Sequence, residues 1–184
     1  MDSIILVSLI VLWIVVLFNL LLTFALIRRR DSIFEVPQQE KLPVGSIAPD
    51  FEAEMLTGER VSRTSLLGKA TAFIFTTPNC QSCKELIPKI PAMTLQAKQA
   101  GVELMLVSLA EREQTEIYAK EHNLRLPIIV APETLNPFSK DYKMNGTPYY
   151  CAFNEEGIIQ SSGFVEIEWR RSTAQWGQYE VNAV

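Results

Sequence analysis

The run Thr76-Thr77-Pro78-Asn79-Cys80-Gln81-Ser82-Cys83-Lys84-Glu85 decides how this chain folds. An apolar segment ends at Thr76, Pro78 and Asn79 turn the chain, and two cysteines open a helical stretch. A Cys-x-x-Cys pair at a strand-to-helix junction sets the first sulfur over the helix N-terminus, where unpaired amides favour a thiolate over a thiol. The second sulfur lies one turn further in, within bonding reach of the first. Such a dithiol exchanges with other disulfides, so redox chemistry is the expectation for Cys80 and Cys83.

Upstream of this run, Ala70 to Thr76 packs Phe73, Ile74 and Phe75 together and reads as a central strand buried on both faces. Before it, Ala48 to Leu56, the turn Thr57-Gly58-Glu59 and Arg60-Val61-Ser62 read as two short strands. Downstream, a helix is expected from Cys80 toward Ala100, closed by Gly101 and interrupted near residues 86–91 by Pro88 and Pro91. Val102 to Ser108 follows as a strand. Glu111 to His122 follows as a helix, with Ile117 and Ala119 among the residues that could face inward. A short strand, Leu126 to Val130, and a short helix or turn, Leu135 to Tyr142, lead to Thr147-Pro148. Two closing strands, Tyr149 to Asn154 and Ile158 to Gly163, form a hairpin before a last helix from about Ile167 to Gly177. Strands alternating with helices require a parallel section, because a crossover is needed to return the chain.

The order of elements, the Cys80-Gln81-Ser82-Cys83 motif, the helix proline Pro88 and Thr147-Pro148 at the mouth of a late strand resemble the thioredoxin fold over residues 43–184. The fold class implied is α/β, a central mixed sheet flanked by helices, with an N-terminal transmembrane helix added. Ala48-Pro49-Asp50-Phe51, the turn Thr57-Gly58-Glu59-Arg60-Val61 and Gly68-Lys69 resemble the redoxin branch, which includes the membrane-tethered TlpA and ResA type of thiol-disulfide oxidoreductase. The anchor and the run Phe75 to Lys84 are most similar to the MauD proteins that assist methylamine dehydrogenase maturation.

The resemblance implies roles. Cys80 is the exposed nucleophile, with a pKa brought from about 8.5 into the range of roughly 3.5 to 7.5. Cys83 resolves the mixed disulfide, the pair cycling through a redox-active Cys80–Cys83 disulfide. Pro148 is a cis proline set against the dithiol, and the backbone of Thr147 pairs with an incoming client strand. No cofactor is implied. The partners implied are client proteins with disulfides and a membrane protein that supplies electrons. Two departures stand out: Ile74 occupies the strand position where thioredoxins carry a buried Asp, and no Trp precedes Cys80. Glu85 and Lys84 read as solvated helix residues. The Gln81-Ser82 dipeptide does not fix a potential, which spans about -270 to -120 mV among relatives with other dipeptides.

The chain has 184 residues, and Ile4 to Ile27 contains no charged side chain. At about 1.5 Å per residue this span reaches roughly 36 Å, enough to cross a hydrocarbon core of about 30 Å. Asp2 at the start, the long apolar run and Arg28-Arg29-Arg30 directly after it favour an uncleaved single-pass anchor over a cleaved signal. The organisation expected is an anchor over residues 4–27, a tether over 28–47 with too few large apolar side chains to join a core, and a redoxin domain over 48–184. The arginine triplet argues for a cytoplasmic domain by the positive-inside rule. Disulfide-bearing clients and the family resemblance argue for an extracytoplasmic one, the placement favoured.

Beyond residue 30, 14 Lys and Arg face 20 Asp and Glu, and no basic cluster occurs, which excludes nucleic acid as the expected partner. Zinc wants four ligands, whereas only Cys151 and His122 remain, from distant segments, so no metal site is expected. Cys151 reads as a small core residue. Two alternatives stay open: a peroxiredoxin-like peroxidase, since Thr77 sits three residues before Cys80 although Phe73 stands where that motif has proline, and a non-catalytic assembly factor that holds a client by the Pro148 edge.

Overall fold

The computed structural model describes residues 2–33 and 41–169, which fall into two units, one ending at Gln39 and one beginning at Glu40. The first unit is helix α1, Asp2–Ile33. Its Ile5–Thr23 segment has a mean hydropathy of 3.0 and is long and apolar enough to cross a membrane. The amide of Asn19, the most polar side chain of this span, donates to the Val15 carbonyl at 3.4 Å, and Thr23 Oγ1 donates to the Asn19 carbonyl at 2.8 Å. Both side chains thus donate within the helix itself. The backbone stays helical past Ile27 through the arginines, because neither Gly nor Pro interrupts it before Pro37.

The second unit is built on a seven-stranded sheet. Its strands are β1 (Glu52–Met55), β2 (Arg60–Ser62), β3 (Thr71–Thr76), β4 (Glu103–Ser108), β5 (Ile128–Val130), β6 (Tyr149–Phe153) and β7 (Ile159–Phe164), in the order β2-β1-β5-β4-β3-β6-β7. The pairs β3–β4 and β4–β5 are parallel, and every other pair is antiparallel. This is the mixed sheet expected of a thioredoxin-like fold. All six residues of β3 are buried, as its unbroken apolar run requires of a strand with helices or loops on both faces.

Alternation along β3 creates two cores. Phe73 and Phe75 point to one side, where Phe51, Phe138, Tyr142 and Tyr149 close round them; Phe51 stacks on Phe138 with centroids 4.1 Å apart. Ala72 and Ile74 point to the other, against Leu86, Ile90, Met93 and Leu106. The helix after the cysteines is broken where the prolines fall: α2 (Gln81–Leu86), a 3-10 turn (Ile87–Lys89) and α3 (Ile90–Gln99). Gly101, with φ +72°, ends it in the left-handed conformation that glycine tolerates best.

Helix α4 (Arg112–Glu121) turns Ala119 toward the core, as expected, but not Ile117. Ile117 is 51% exposed, whereas Thr115 and Tyr118 are buried. Two anchors set this phase, one long-range and one to the neighbouring strand: the Arg112 guanidinium donates to the carbonyls of Leu56 and Met55, and the hydroxyls of Thr115 and Ser108 bond at 2.7 Å. Leu42 and Ala48 join the Phe51 core, and the Gly45 amide donates to the Ile159 carbonyl at 2.9 Å, so the segment before residue 48 does more than space the domain. The helix before Thr147 is a single turn, α5 (Phe138–Asp141). The last helix begins at residue 165, and its expected continuation to Gly177 lies outside the described residues beyond 169.

Candidate functional site

Strand β3 delivers the chain to one end of the sheet, where Thr76 lies in register with Ser108 of β4. A turn follows in which the Cys80 amide donates to the Thr77 carbonyl at 3.1 Å. Cys80 then caps α2 from an extended conformation (φ -89°, ψ 120°), its Sγ accepting the Cys83 N–H at 3.1 Å. A cap position usually takes a side-chain oxygen; here a sulfur receives one of the donors that a helix start leaves unpaired. The two sulfurs differ in setting: Cys80 is half-buried and Cys83 is fully buried, and both are free thiols.

The opposite wall comes from the loop ahead of β6. Because β6 pairs with β3 with Tyr149 opposite Phe75, the residues just before β6 stand beside the residues just after β3. The Cys80 thiol donates to the Thr147 backbone carbonyl at 3.4 Å, and the Thr147-Pro148 bond is cis. Cys80, Cys83, Thr147 and Pro148, the four residues singled out in the sequence, therefore lie together. Lys84 and Glu85 are exposed, with Glu85 accepting from the Gln81 side chain at 3.1 Å. Cys151 is buried in β6 opposite Phe73, and His122 packs edge-on against Tyr118.

The electrostatics separate the cysteines. Partial burial opposes charge on Cys80, but hydrogen bonds from the side chains of Cys83 and Thr147 and from the amides of Cys83 and Ser82 outweigh it and bring its pKa below the ordinary 9.0. Burial pushes Cys83 up to about 11, and its neighbour Cys80 adds to the rise. One sulfur thus ionises more readily than an ordinary thiol, and the other is held as a thiol. Burial pushes the Cys151 thiol up as well, which leaves it unreactive.

One residue near this site was not visible in the sequence. Burial, with the charges of Cys83 and then Cys80 acting in the same direction, raises the Tyr118 phenol on α4 to about 12. Its signal was the i, i+3 spacing from Thr115, which became informative only once Thr115 was known to face inward. No group of three or more Cys, His, Asp or Glu side chains arranged to hold a metal occurs among the described residues.

Among known proteins, the chain is 25% identical over 173 residues to the methylamine utilization protein MauD of Paracoccus denitrificans, covering 89% of this chain and 83% of that one. It is 26% identical over 122 residues to the thiol-disulfide oxidoreductase ResA of Bacillus subtilis (strain 168), covering 66% and 67%. Among solved structures, the thioredoxin domain of a thiol-disulfide oxidoreductase from Bacteroides vulgatus superposes with a TM-score of 0.58 at 21% identity, covering 66% of this chain and 89% of that one, a likeness of fold. The family model AhpC/TSA matches residues 44–166, from the segment that precedes β1 to the start of the last helix, and the chain belongs to that family.

Proposed function

We propose that this chain is a membrane-anchored thiol-disulfide oxidoreductase that reduces or isomerises disulfides in client proteins, as an accessory to the maturation of a disulfide-rich enzyme. The observation that carries the reading is the pairing of a half-buried Cys80, its pKa lowered, with a fully buried Cys83, its pKa raised, one helical turn apart beside Thr147 and Pro148. The names of the relatives ResA and MauD, and the MauD match over 89% of this chain, support it.

In this reading the Cys80 thiolate attacks one sulfur of a client disulfide, forming a Cys80–client S–S bond while the other client sulfur leaves as a thiolate. Cys83 then gives up its proton to solvent and attacks Cys80 Sγ, releasing the second client sulfur and leaving a Cys80–Cys83 disulfide. Thr147 contributes through its carbonyl. That carbonyl accepts the Cys80 S–H in the dithiol form, and deprotonation or mixed-disulfide formation frees it to accept an amide of the client strand. Resetting the disulfide takes two electrons, which a membrane protein beside α1 would supply.

Reduction of insulin disulfides by the full-length protein in detergent tests the activity. Cys80→Ser should abolish it, and unchanged turnover would sink the reading. Sidedness, taken here as extracytoplasmic, is tested by placing a single cysteine at Gln39 in a chain lacking Cys80, Cys83 and Cys151. An impermeant maleimide added to intact cells should label it, and labelling only after lysis would put the domain in the cytoplasm.

A further inference from the structure

The apolar span of α1 carries three hydroxyl or amide side chains, Ser8, Asn19 and Thr23. At about 100° per residue, Ser8 and Asn19 differ by about 20° round the helix, and Asn19 and Thr23 by about 40°. All three therefore share one face, an arc of about 60°. The helix answers the two hydroxyls: Ser8 Oγ donates to the Ile5 carbonyl at 2.8 Å and Thr23 Oγ1 to the Asn19 carbonyl at 2.8 Å. An amide asks for more, since it has two N–H donors and an acceptor oxygen. One Asn19 N–H reaches the Val15 carbonyl at 3.4 Å, long for such a bond, and its Oδ1 and second N–H have no partner among the described residues. The interior of a helix cannot supply one to Oδ1, because each backbone N–H is already committed to the carbonyl four residues earlier.

Asn19 lies roughly 5 Å from the midpoint of the Ile4 to Ile27 span, deep in a hydrocarbon core about 30 Å thick, where water does not reach these groups. We propose that this face of α1 pairs with the same face of a second copy of the chain, the two Asn19 amides bonding each other across the contact. The inference rests on the membrane-anchor reading above. Complementarity selects the second copy. An amide holds both a donor and an acceptor, and two copies anchored from the same side present Asn19 at the same depth, so each Oδ1 accepts an N–H of the other. Ile5, Ser8, Leu12, Val15, Asn19 and Leu22 alternate at spacings of three and four, the seam of a left-handed helix pair. Apolar residues occur on every face of this helix, so Ser8 and Asn19, not the leucines, choose the seam. Asn19 also fixes the register, because a slip of one turn would return both amides to hydrocarbon.

Asn19→Leu removes the amide and makes the span more apolar, so membrane insertion should be kept. Asn19→Gln retains an amide. Full-length protein, held in dithiothreitol so that no disulfide joins the copies, is measured by sedimentation equilibrium in density-matched micelles over a series of protein-to-detergent ratios. Wild type should exchange between monomer and dimer. Asn19→Leu should weaken association by about tenfold, and Asn19→Gln should stay within about threefold of wild type. A wild-type chain that is monomeric at every ratio would overturn the inference, as would an Asn19→Leu association within about twofold of wild type or an Asn19→Gln variant as weak as Asn19→Leu. Wild-type chain that instead purifies in fixed ratio with a different membrane protein, and loses it in Asn19→Leu, would give the face to that partner and overturn the inference too. Membranes are first washed with alkaline carbonate: release of the chain defeats the anchor reading, whereas a retained but monomeric chain defeats this inference alone.

Discussion

Cys80 turns its sulfur to the backbone carbonyl of Thr147, 67 residues further along the chain, at 3.4 Å. The contact follows from the pairing of β3 with β6, which sets the residues leaving one strand beside the residues entering the other. A dithiol on a helix start thereby acquires a second wall at Thr147 and Pro148.

The division of labour between the sulfurs predicts which variant is trapped. With Cys83→Ser, the mixed disulfide at Cys80 has no resolving thiol, so client proteins should remain covalently attached to the full-length chain on non-reducing gels. The attachment should disappear with dithiothreitol and be absent in Cys80→Ser. Equal trapping by both single variants would show that the two cysteines are interchangeable.

The phase of α4 depends on a buried hydroxyl pair, and its loss should be measurable. Thr115→Val keeps the shape but leaves the Ser108 hydroxyl without its 2.7 Å partner, at a cost of about 1 to 3 kcal/mol in chemical denaturation. The double variant with Ser108→Ala should recover part of that loss, because neither hydroxyl then remains unpaired.

Phe138 sits at the centre of the aromatic core, stacked on Phe51 and edge-on to Phe73 and Phe75. Phe138→Ala should destabilise the domain by about 3 to 5 kcal/mol, read as a lower denaturant midpoint with an unchanged slope.

Stability of the reduced protein should depend on pH in a definite sense. Cys80 has a folded pKa below the ordinary 9.0, so its contribution is present above 9.0 and is lost as pH falls through the folded value. Cys83 has a folded pKa of about 11, so its contribution is complete below 9.0 and is lost as pH rises toward 11. Denaturation midpoints of the reduced protein should therefore rise with pH up to about 9 and fall above it. A Cys80→Ser variant should lack the rise.

Much of this molecule was legible because its signals are local. The unbroken apolar run of β3, the cysteine spacing and the two prolines specify a buried strand, a dithiol and a broken helix without reference to the rest of the chain. The inward face of α4 was legible only in part: Ala119 packs against the core, Ile117 does not. Its sequence is polar, and periodicity alone left Ile117 as an inward candidate. The choice of Thr115 and Tyr118 is made by Ser108, across the loop from β4, and by the carbonyls of Leu56 and Met55, which are distant in sequence. Leu42 was hidden for a similar reason: one apolar residue among polar and proline neighbours reads as linker until its pocket beside Phe51 exists.

The central claim is that Cys80 and Cys83 form an asymmetric dithiol in which Cys80 attacks. The most direct measurement is the rate of iodoacetamide alkylation of the reduced full-length protein from pH 5 to 11, as about the range a thiol titration needs, with each cysteine resolved by mass spectrometry. Cys80 should react first, with a midpoint below 9.0, while Cys83 stays protected until pH approaches its value of about 11 and Cys151 remains unmodified. Alkylation of Cys83 ahead of Cys80, or a shared midpoint at the ordinary thiol value, would contradict the account.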